Sequence, residues 1–488
     1  MLTNNHRISK RNSATKTTVS ESDNSEEYLT PAYSARGLSE PVSKYSMSET
    51  PLEADVAAQI IKDELNLDGN PALNLASFVT TWMDKEAEEL MLLTLNKNFV
   101  DAEEYPQTVE IHDRCVNILA SLFNAPHEKN YTGCATVGSS EAIHLAGLAL
   151  KWNWKKKRDK ENLPSSNPNI VMGQNVQVCW EKFARYFEVE PRYVPLSNER
   201  FVIGVDEALK KVDENTIGVV GILGSTYTGE YEPIEELALA LDELALKGKL
   251  DIPMHIDAAS GGFVAPFLQP EFKWDFRLER VVSINTSGHK YGLVYPGIGW
   301  VVWRDADCLP EELIFHVNYL GGDHPTFQLN FSRGASQVIA QYYNFLRLGK
   351  SGYRSIMTSL QKTAVWIADQ ISGLSEFEVV HSGKDLPVVC FKVKGDQSFT
   401  VFEISDMLKQ RGWIVPAYTM APDAEDIAVL RIVVKEGLSL DLAHILINDI
   451  KFVLEHLKTT TQKDTTDVKS IKEHSPVKTN RTGHRGVC

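Results

Sequence analysis

The sequence predicts an α/β protein whose central sheet is mostly parallel and covered by helices. After residue 168, apolar runs long enough for one strand alternate with segments of helical length, such as 233–246. Strands that are apolar along their whole length are typical of a sheet buried on both faces, and such sheets bind ligands at the carboxyl ends of their strands. The predicted strands are 169–172, 217–223, 254–256, 281–284 and 300–303.

The composition restricts the possible functions. The chain has 488 residues, enough for two or more packed subdomains, and 43% of them are hydrophobic. Its net charge of −15 argues against nucleic-acid binding, which needs a basic surface. No apolar run reaches the ~18 residues that span a membrane and no secretory signal is present, so we expect a cytoplasmic protein without membrane contact. The six scattered cysteines favour neither disulfides nor a metal site.

Changes in composition along the chain predict five segments. The first is rich in Ser, Thr, Asn and charge, which favours disorder, although the absence of acidic residues before Glu21 leaves a targeting peptide as an alternative. A small C-terminal domain is predicted from three strand-like runs, at 388–393, 414–418 and 429–434, and a helix at 440–457. The five segments are a disordered segment (1–50), a helical arm with a substrate loop (51–110), a large α/β domain (111–349), a small α+β domain (350–457) and a flexible tail (458–488).

Lys290 follows a strand-like run and lies between Gly288 and Gly292. Glycines let the backbone and a planar ligand come close, and a lysine amine can form a Schiff base with a carbonyl cofactor. A plain surface lysine would show the same local pattern. Asp257, which ends an upstream apolar strand, favours the first interpretation, because pyridoxal phosphate needs both a lysine for its aldehyde and a carboxylate for its ring nitrogen.

Ser139 and Ser140 open a long helical segment. The free N–H groups and the dipole at a helix N-terminus favour an anion, although serines at this position can also be simple helix caps. Beside the pair of Lys290 and Asp257, the two serines predict a seat for the cofactor's phosphate.

Two motifs identify a family resemblance. HIDAASGG at 255–262 and SGHKYG at 287–292 resemble the glutamate decarboxylases, which are fold-type I pyridoxal phosphate enzymes. The resemblance covers roughly residues 52–457. It implies a fold-type I architecture with a small α+β C-terminal domain, pyridoxal 5'-phosphate as cofactor, and conversion of L-glutamate to 4-aminobutyrate (GABA) and CO2. Alternatives are decarboxylation of another amino acid and an inactive scaffold that acts by binding partners.

The resemblance also implies roles for individual residues around the cofactor. Gln177 and Ala259 flank the ring, Thr226 contacts it near the 3-oxygen, and His289 bonds the phosphate or the departing carboxylate. Tyr319, in a glycine-containing loop at 318–322 that resembles a mobile flap, shields the site and is placed near the proton delivered to Cα. The expected catalytic set is Lys290, Asp257, His289 and Tyr319. The expected cofactor set is Ser139, Ser140, Gln177, Thr226, Asp257, Ala259, Ser287, His289, Lys290 and Ser332.

Substrate contacts follow from the same resemblance. Ser77, Phe78, Asn98 and Asp101 are expected to hold the distal carboxylate of glutamate from a neighbouring subunit, and Ser332 reaches the phosphate across the dimer. Many relatives have threonine in place of Ser77, but the hydroxyl is kept. The resemblance therefore implies a homodimer or larger homo-oligomer with shared active sites.

Arg431 is a lone charge inside an apolar strand, and such a charge costs free energy unless it is paired. The resemblance supplies the α-carboxylate region of the substrate as its partner. A buried structural ion pair is the alternative.

The sequence of the C-terminal tail gives little indication of a regulatory role. Plant relatives bind calmodulin through a basic helix with tryptophan, whereas residues 459–488 contain no tryptophan and carry Pro476 and Gly483 as helix breakers. We therefore expect no calmodulin binding. His484 lies at a place loosely similar to a histidine with which bacterial relatives close their site near neutral pH, and a solvated disordered tail is the alternative.

Overall fold

The computed structural model of the protein describes residues 44–126, 131–248, 250–319 and 324–467, with the backbone alone for 460–467. The predictions for residues 1–43 and for the tail beyond residue 467, including the one on His484, lie outside the described residues. The chain forms two units, Met1–Gly69 and Asn70–Cys488.

The first unit contains helix α1, and helices and strands alternate through most of the second unit. The helices are α1 (Ala54–Leu65), α2 (Lys85–Leu93), α3 (Pro106–Leu122), α4 (Ser139–Lys160), α5 (Val178–Tyr186), α6 (Val205–Leu209), α7 (Ile234–Leu246), α8 (Ala265–Leu268), α9 (Ser336–Ser372), α10 (Val401–Gln410) and α11 (Leu440–Asp467). Short 3-10 helices lie at Pro71–Leu73, Gly261–Phe263, Ala306–Cys308 and Glu311–Leu313. The strands are β1 (Gly133–Thr136), β2 (Asn169–Gly173), β3 (Glu190–Val194), β4 (Thr216–Ile222), β5 (Met254–Asp257), β6 (Val281–Thr286), β7 (Gly299–Trp303), β8 (Phe315–Val317), β9 (His324–Thr326), β10 (Phe377–Ser382), β11 (Val388–Val393), β12 (Ala417–Thr419) and β13 (Ala428–Val433).

The large sheet contains β1 to β7 in the order β1-β7-β6-β5-β4-β2-β3. Strands β3, β2, β4, β5 and β6 are parallel to one another, whereas β7 is antiparallel to both of its neighbours, β6 and β1. β1 therefore runs in the same direction as β6, and the carboxyl ends of six of the seven strands lie at one edge. The predicted α/β fold with a mostly parallel sheet is confirmed.

The large sheet is buried on both faces, because alternate residues of a strand enter different hydrophobic clusters. Ile170 and Met172 of β2 pack with Trp180 and Phe183 of α5, whereas Val171 enters the largest cluster. The residues of β7 alternate in the same way. This burial explains the continuous apolar runs in the sequence.

The small sheet contains β10 to β13 and is antiparallel, in the order β10-β11-β13-β12. α9 precedes it and contains two helical segments, which meet at Gly349, whose φ is +54°. β12 begins later than the predicted strand 414–418, because Ile414 instead forms a parallel bridge with Asn74, and Pro416 has no N–H for a ladder.

Two features concern the ends and surfaces of the helices. α11 continues past residue 457 to Asp467, consistent with the absence of Gly or Pro before Pro476. Across the described ranges, no helix combines the length and the apolar character needed to cross a membrane.

Gly299 opens β7 and lies directly against the turn before α4. A Cβ built on Gly299 would lie 2.5 Å from the carbonyl carbon of Gly138 and 2.8 Å from the amide nitrogen of Ser139. These are backbone atoms, so they cannot rotate away.

We expect Gly299→Ala to displace the start of α4 and to lower the free energy of unfolding by about 1–3 kcal/mol, the usual range for overpacking. Urea unfolding measures the change. The control is Gly437→Ala, because the nearest atom to its built Cβ is 3.9 Å away. Equal stability losses in the two variants would contradict this account.

Candidate active site

Asp257 and Lys290 lie at one edge of the large sheet because one ends a strand and the other follows the neighbouring parallel strand. Asp257 is the last residue of β5, and Lys290 lies in the lysine loop, residues 287–292, that follows the end of β6 at Thr286. In the register of the two strands, Asp257 is opposite Asn285. The fold thus delivers a carboxylate and an amine to the edge where ligands of such sheets bind.

Asp257 is a buried carboxylate that is held by three neutral donors. Trp180 Nε1 donates to its Oδ2 over 2.9 Å, and Asn285 Nδ2 donates to its Oδ1 over 3.1 Å. The Ala259 amide donates to Oδ1 over 3.2 Å. The residue is only 5% exposed, and none of these partners carries a charge. A cation is therefore the neighbour that this carboxylate would favour most.

Lys290 is fixed both at its amine and at its backbone. Its Nζ donates to Ser260 Oγ over 3.1 Å and lies 5.1 Å from the centre of the Phe78 ring. Thr80 Oγ1 donates to the Lys290 carbonyl over 2.7 Å, and the Thr80 amide donates to the His289 carbonyl over 2.9 Å. These contacts restrict where the amine can point.

Two serine hydroxyls meet at the N-terminus of α4. Ser139 Oγ lies 2.6 Å from Ser287 Oγ of the lysine loop, and both residues are buried, whereas Ser140 is exposed. α4 has 22 residues, and the amides of its first turn have no partner within the helix. The hydroxyls, these amides and the helix dipole together suit an anion.

His289 lies beside these serines. A Cβ built on Gly138 would come within 3.2 Å of His289 Cε1. His289 Nδ1 accepts a hydrogen bond from the Ile298 amide over 3.3 Å, so its proton is on Nε2. Burial, and then the nearby Lys290 amine, lower the pKa of His289 to about 4. Near pH 7 the ring is neutral and can donate one hydrogen bond.

An irregular segment at residues 74–81, which we call the strap, joins the small sheet to the lysine loop. The Leu75 amide donates to the Ile414 carbonyl over 2.9 Å, and the Val433 amide donates to the Leu75 carbonyl over 3.0 Å. At the other end of the strap, Thr80 holds the backbone of the lysine loop. The strap carries Ser77 and Phe78, which were expected to come from a neighbouring subunit. Phe78 instead lies beside Lys290 and Arg431 of its own chain, because the strap packs between the small sheet and the lysine loop.

Arg431 contacts the strap and the turn after β4. Its guanidinium lies 5.0 Å from the Phe78 ring and donates to the carbonyls of Ala76 and Thr226. The residue is 7% exposed, and its Nε has no hydrogen-bond partner among the described residues. These partners are carbonyls and a ring, so they do not form the structural ion pair that was the alternative.

Asn98 contacts Arg333, which follows Ser332 in the chain, and the Asp101 amide donates to the Asn98 carbonyl over 3.2 Å. Asn98 Oδ1 accepts from the Arg333 amide over 3.2 Å, and Arg333 Nη1 donates to the Ala135 carbonyl over 3.0 Å. Asp101 is half-buried and Ser332 is exposed. All three are residues that the resemblance assigns to a contact across subunits.

The remaining expected residues are held by local contacts. Gln177 caps α5, and its side-chain oxygen accepts from the Cys179 amide over 2.8 Å. Ser77 Oγ accepts from the Val79 amide over 3.1 Å. Ala259 is half-buried at the sheet edge.

Tyr319 is 70% exposed, and its ring centre lies 6.2 Å from that of Phe331. The remainder of the predicted loop, residues 320–322, lies outside the described residues.

Sequence reasoning missed four residues that contact the expected pair: Trp180, Asn285, Ser260 and Thr80. Asn285 could have been found, because parallel strands place it opposite Asp257. Ser260 stands inside the quoted motif. Trp180 and Thr80 have no local signal, since both reach the site only through the tertiary fold.

Comparison with known proteins decides the family. A family model described as the conserved domain of pyridoxal-dependent decarboxylases matches residues 47–394. The chain belongs to the pyridoxal-dependent decarboxylase family. Glutamate decarboxylase 2 of Arabidopsis thaliana is 54% identical to it over 433 residues, which are 88% of each chain. Glutamate decarboxylase of Aliivibrio fischeri is 49% identical over 433 residues, 88% of this chain and 93% of the relative.

A solved structure agrees with this assignment. Glutamate decarboxylase of Lactobacillus brevis is 44% identical in sequence and superimposes with a TM-score of 0.83. The match covers 86% of this chain and 96% of the solved structure's chain. The resemblance read from the sequence is confirmed, and with it the fold-type I architecture.

The residues present fit pyridoxal 5'-phosphate, the cofactor of the family. Asp257 is a buried carboxylate with neutral partners, which suits a protonated ring nitrogen. The hydroxyls of Ser139 and Ser287 meet at a helix N-terminus, which suits a phosphate. Lys290, which lies in the same loop as Ser287, offers its amine.

We expect Lys290→Ala to abolish the visible absorbance of the cofactor-loaded protein, because the amine that binds the aldehyde is removed. Borohydride reduction of the wild-type protein followed by peptide mapping should recover the cofactor on the peptide that contains Lys290. Recovery on Lys435, a buried lysine that bonds the strap carbonyl of Val79, would contradict the assignment.

We expect Ser139→Ala combined with Ser140→Ala to weaken cofactor binding by about tenfold or more, because hydroxyl donors to an anion are lost. Titration of the cofactor-free protein with pyridoxal phosphate measures the affinity. Ser439→Ala is the matched control, since Ser439 Oγ accepts from the Leu442 amide at the start of another helix. An unchanged affinity in the double variant would make the two serines simple helix caps.

Proposed function

We propose that the protein decarboxylates L-glutamate to GABA and CO2, with pyridoxal 5'-phosphate as its cofactor. The observation that carries this proposal is the arrangement of Lys290, Asp257 and Arg431 around one sheet edge, in a chain 46–54% identical to curated glutamate decarboxylases. The protein is a carboxy-lyase of glutamate metabolism.

When bound, pyridoxal 5'-phosphate supplies an aldehyde that joins the substrate's amino group and a ring that draws in the electrons of the breaking Cα–carboxylate bond. Lys290 would hold the aldehyde between turnovers. Asp257 would offer its negative charge to the ring nitrogen and so favour the protonated ring. Gln177 and Ala259 would flank the ring, and Thr226 would contact it near the 3-oxygen.

The phosphate is held at the start of α4. Ser139, Ser140 and Ser287 supply hydroxyls there, and Ser332 is supplied by a neighbouring subunit. His289 is neutral near pH 7, so it donates a hydrogen bond from Nε2 to the phosphate or to the departing carboxylate without adding a positive charge.

Glutamate carries two carboxylates, and the chain offers a separate place for each. Arg431 binds the α-carboxylate region, because its buried guanidinium has neutral partners and an Nε without a partner among the described residues. The distal carboxylate is held by Ser77, Phe78, Asn98 and Asp101.

Decarboxylation requires the α-carboxylate to be held at the reacting face while the rest of the substrate is fixed. Binding both ends of glutamate supplies this orientation, since each contact removes rotational freedom of the substrate before the reaction. Tyr319 then shields the site from water and lies near the proton delivered to Cα.

The protein is proposed to be a homodimer or a larger homo-oligomer with shared sites. The group around Arg333 supplies Asn98, Asp101 and Ser332 to the neighbouring active site. Large apolar side chains at the end of α2, Leu92 and Leu93, are about 70% exposed, which is typical of a surface that another subunit covers.

We propose that the protein is cytoplasmic and that its partners are small molecules. The described cysteines are free thiols, as expected in a reducing compartment. The net charge of −15 argues against nucleic acid as a partner. Calmodulin is not an expected partner, because the tail lacks an apolar helical face with tryptophan.

Release of CO2 from carboxyl-labelled glutamate tests the proposed reaction. We expect CO2 and GABA in equal amounts, and turnover of aspartate or aromatic amino acids slower by at least about a hundredfold, because they leave the polar groups of the distal site unpaired. The control is Lys290→Ala, which should release no CO2. Faster turnover of another amino acid would support the alternative substrate, and no turnover by cofactor-loaded protein would support the inactive scaffold.

A further inference from the structure

A row of buried hydrogen bonds extends from Asp257 back along β5 and β6. Asn285 Nδ2 lies 3.1 Å from Asp257 Oδ1, and Asn285 Oδ1 lies 2.7 Å from His255 Nε2. His255 Nδ1 lies 2.8 Å from Ser283 Oγ. All four side chains are at most 5% exposed. His255 and Asp257 are two residues apart on β5, and Ser283 and Asn285 are two residues apart on β6. The four side chains therefore lie on one face of the sheet.

The row has a single direction. An ionised carboxylate only accepts hydrogen bonds, so Asn285 must present its NH2 group to Asp257 and its oxygen to His255. His255 then donates from Nε2, which leaves Nδ1 without a proton and able to accept from the hydroxyl of Ser283. Every donor in the row therefore points toward Asp257, and the network fixes both the amide orientation and the imidazole tautomer.

His255 could instead be an ordinary core histidine whose two nitrogens happen to be satisfied. Two contacts argue against a role confined to packing. Trp180, which donates to Asp257 Oδ2, also places its ring edge-on to His255, with centres 5.4 Å apart. The amide of Asn285 has one acceptor and one donor group, and both are used by this row. Burial lowers the pKa of His255, so the ring is neutral, as the row requires.

We infer that His255 and Asn285 are positioning residues that keep the Asp257 carboxylate oriented toward the ring nitrogen of the cofactor, with Ser283 fixing the tautomer of His255. This inference rests on the proposed role of Asp257. Loss of His255 leaves the Asn285 oxygen without a donor, and the amide can then turn its oxygen toward Asp257. The Asp257 carboxylate would lose the donor that orients it, and the ring nitrogen of the cofactor would lose the partner that favours its proton.

The test uses the full-length protein loaded with cofactor whose ring nitrogen is labelled with nitrogen-15. Its NMR chemical shift reports the protonation of the ring nitrogen without turnover. We expect the wild-type signal to be that of a protonated ring, and His255→Phe and Asn285→Leu to move it toward the unprotonated position. In both variants kcat should fall about tenfold or more, while KM for glutamate changes less than about threefold. His255→Gln should restore the signal, because its amide can donate in place of Nε2.

Two controls separate the possible outcomes. His112→Phe removes another buried histidine, which stacks on Trp300, and should lower thermal stability without moving the ring-nitrogen signal. Asp257→Asn should move the signal. If Asp257→Asn moves it and neither His255→Phe nor Asn285→Leu does, the inference is wrong and the role of Asp257 stands. If Asp257→Asn also leaves it in place, the proposed role of Asp257 fails. Should His255→Phe not fold, Asn285→Leu alone decides.

Discussion

The burial of the Asp257 carboxylate constrains the elements around it. Moving a charged group out of water costs several kcal/mol unless hydrogen bonds and a counter-charge replace the solvent. Strand β6 supplies one donor through its parallel register with β5, α5 supplies another through Trp180, and the backbone after β5 supplies the third. The two strands and α5 must therefore be in place together before the carboxylate is stabilised. Since all three donors are neutral, the negative charge of the carboxylate still favours a cation beside it.

The strap extends this coupling to the small sheet. Residues 74–81 receive a backbone hydrogen bond from β13 at one end and hold the lysine loop through Thr80 at the other. Arg431 and Lys435, on and just after β13, donate to carbonyls of the same segment. A hydrogen bond from a charged donor contributes roughly 1.5–3 kcal/mol, more than a neutral one. A shift of the small sheet would therefore be transmitted to the backbone of Lys290.

The sequence was sufficient for the parts of the molecule whose signal is local. Strands β2, β4, β5, β6 and β7 were predicted because burial on both faces leaves a continuous apolar run. β1 was missed because its sequence, Gly-Cys-Ala-Thr, contains no large apolar side chain, and β3 because it contains Pro191 and an exposed Glu190, which an edge strand tolerates.

The same distinction applies to the site. Lys290, Asp257 and Ser139 could be proposed from the sequence because their chemistry and their position after a strand or at a helix start are visible in it. The contact from Trp180 to Asp257 spans 77 residues, and that from Thr80 to Lys290 spans 210. Neither contact follows a strand register, so only the packed structure reveals them.

Two buried cations, Arg431 and Lys435, lie beside the strap. Both are buried, and their described hydrogen-bond partners are neutral carbonyl oxygens, Ala76 and Thr226 for the first and Val79 for the second. Carbonyl dipoles offset only part of the lost hydration, and burial accordingly lowers the pKa of Lys435. Because the cost of desolvating these cations is met when the protein folds, the substrate carboxylate that we propose for Arg431 would meet a guanidinium that is already oriented and poorly hydrated. The attraction is then stronger than it would be at the surface, and it requires little reorganisation at the moment of reaction.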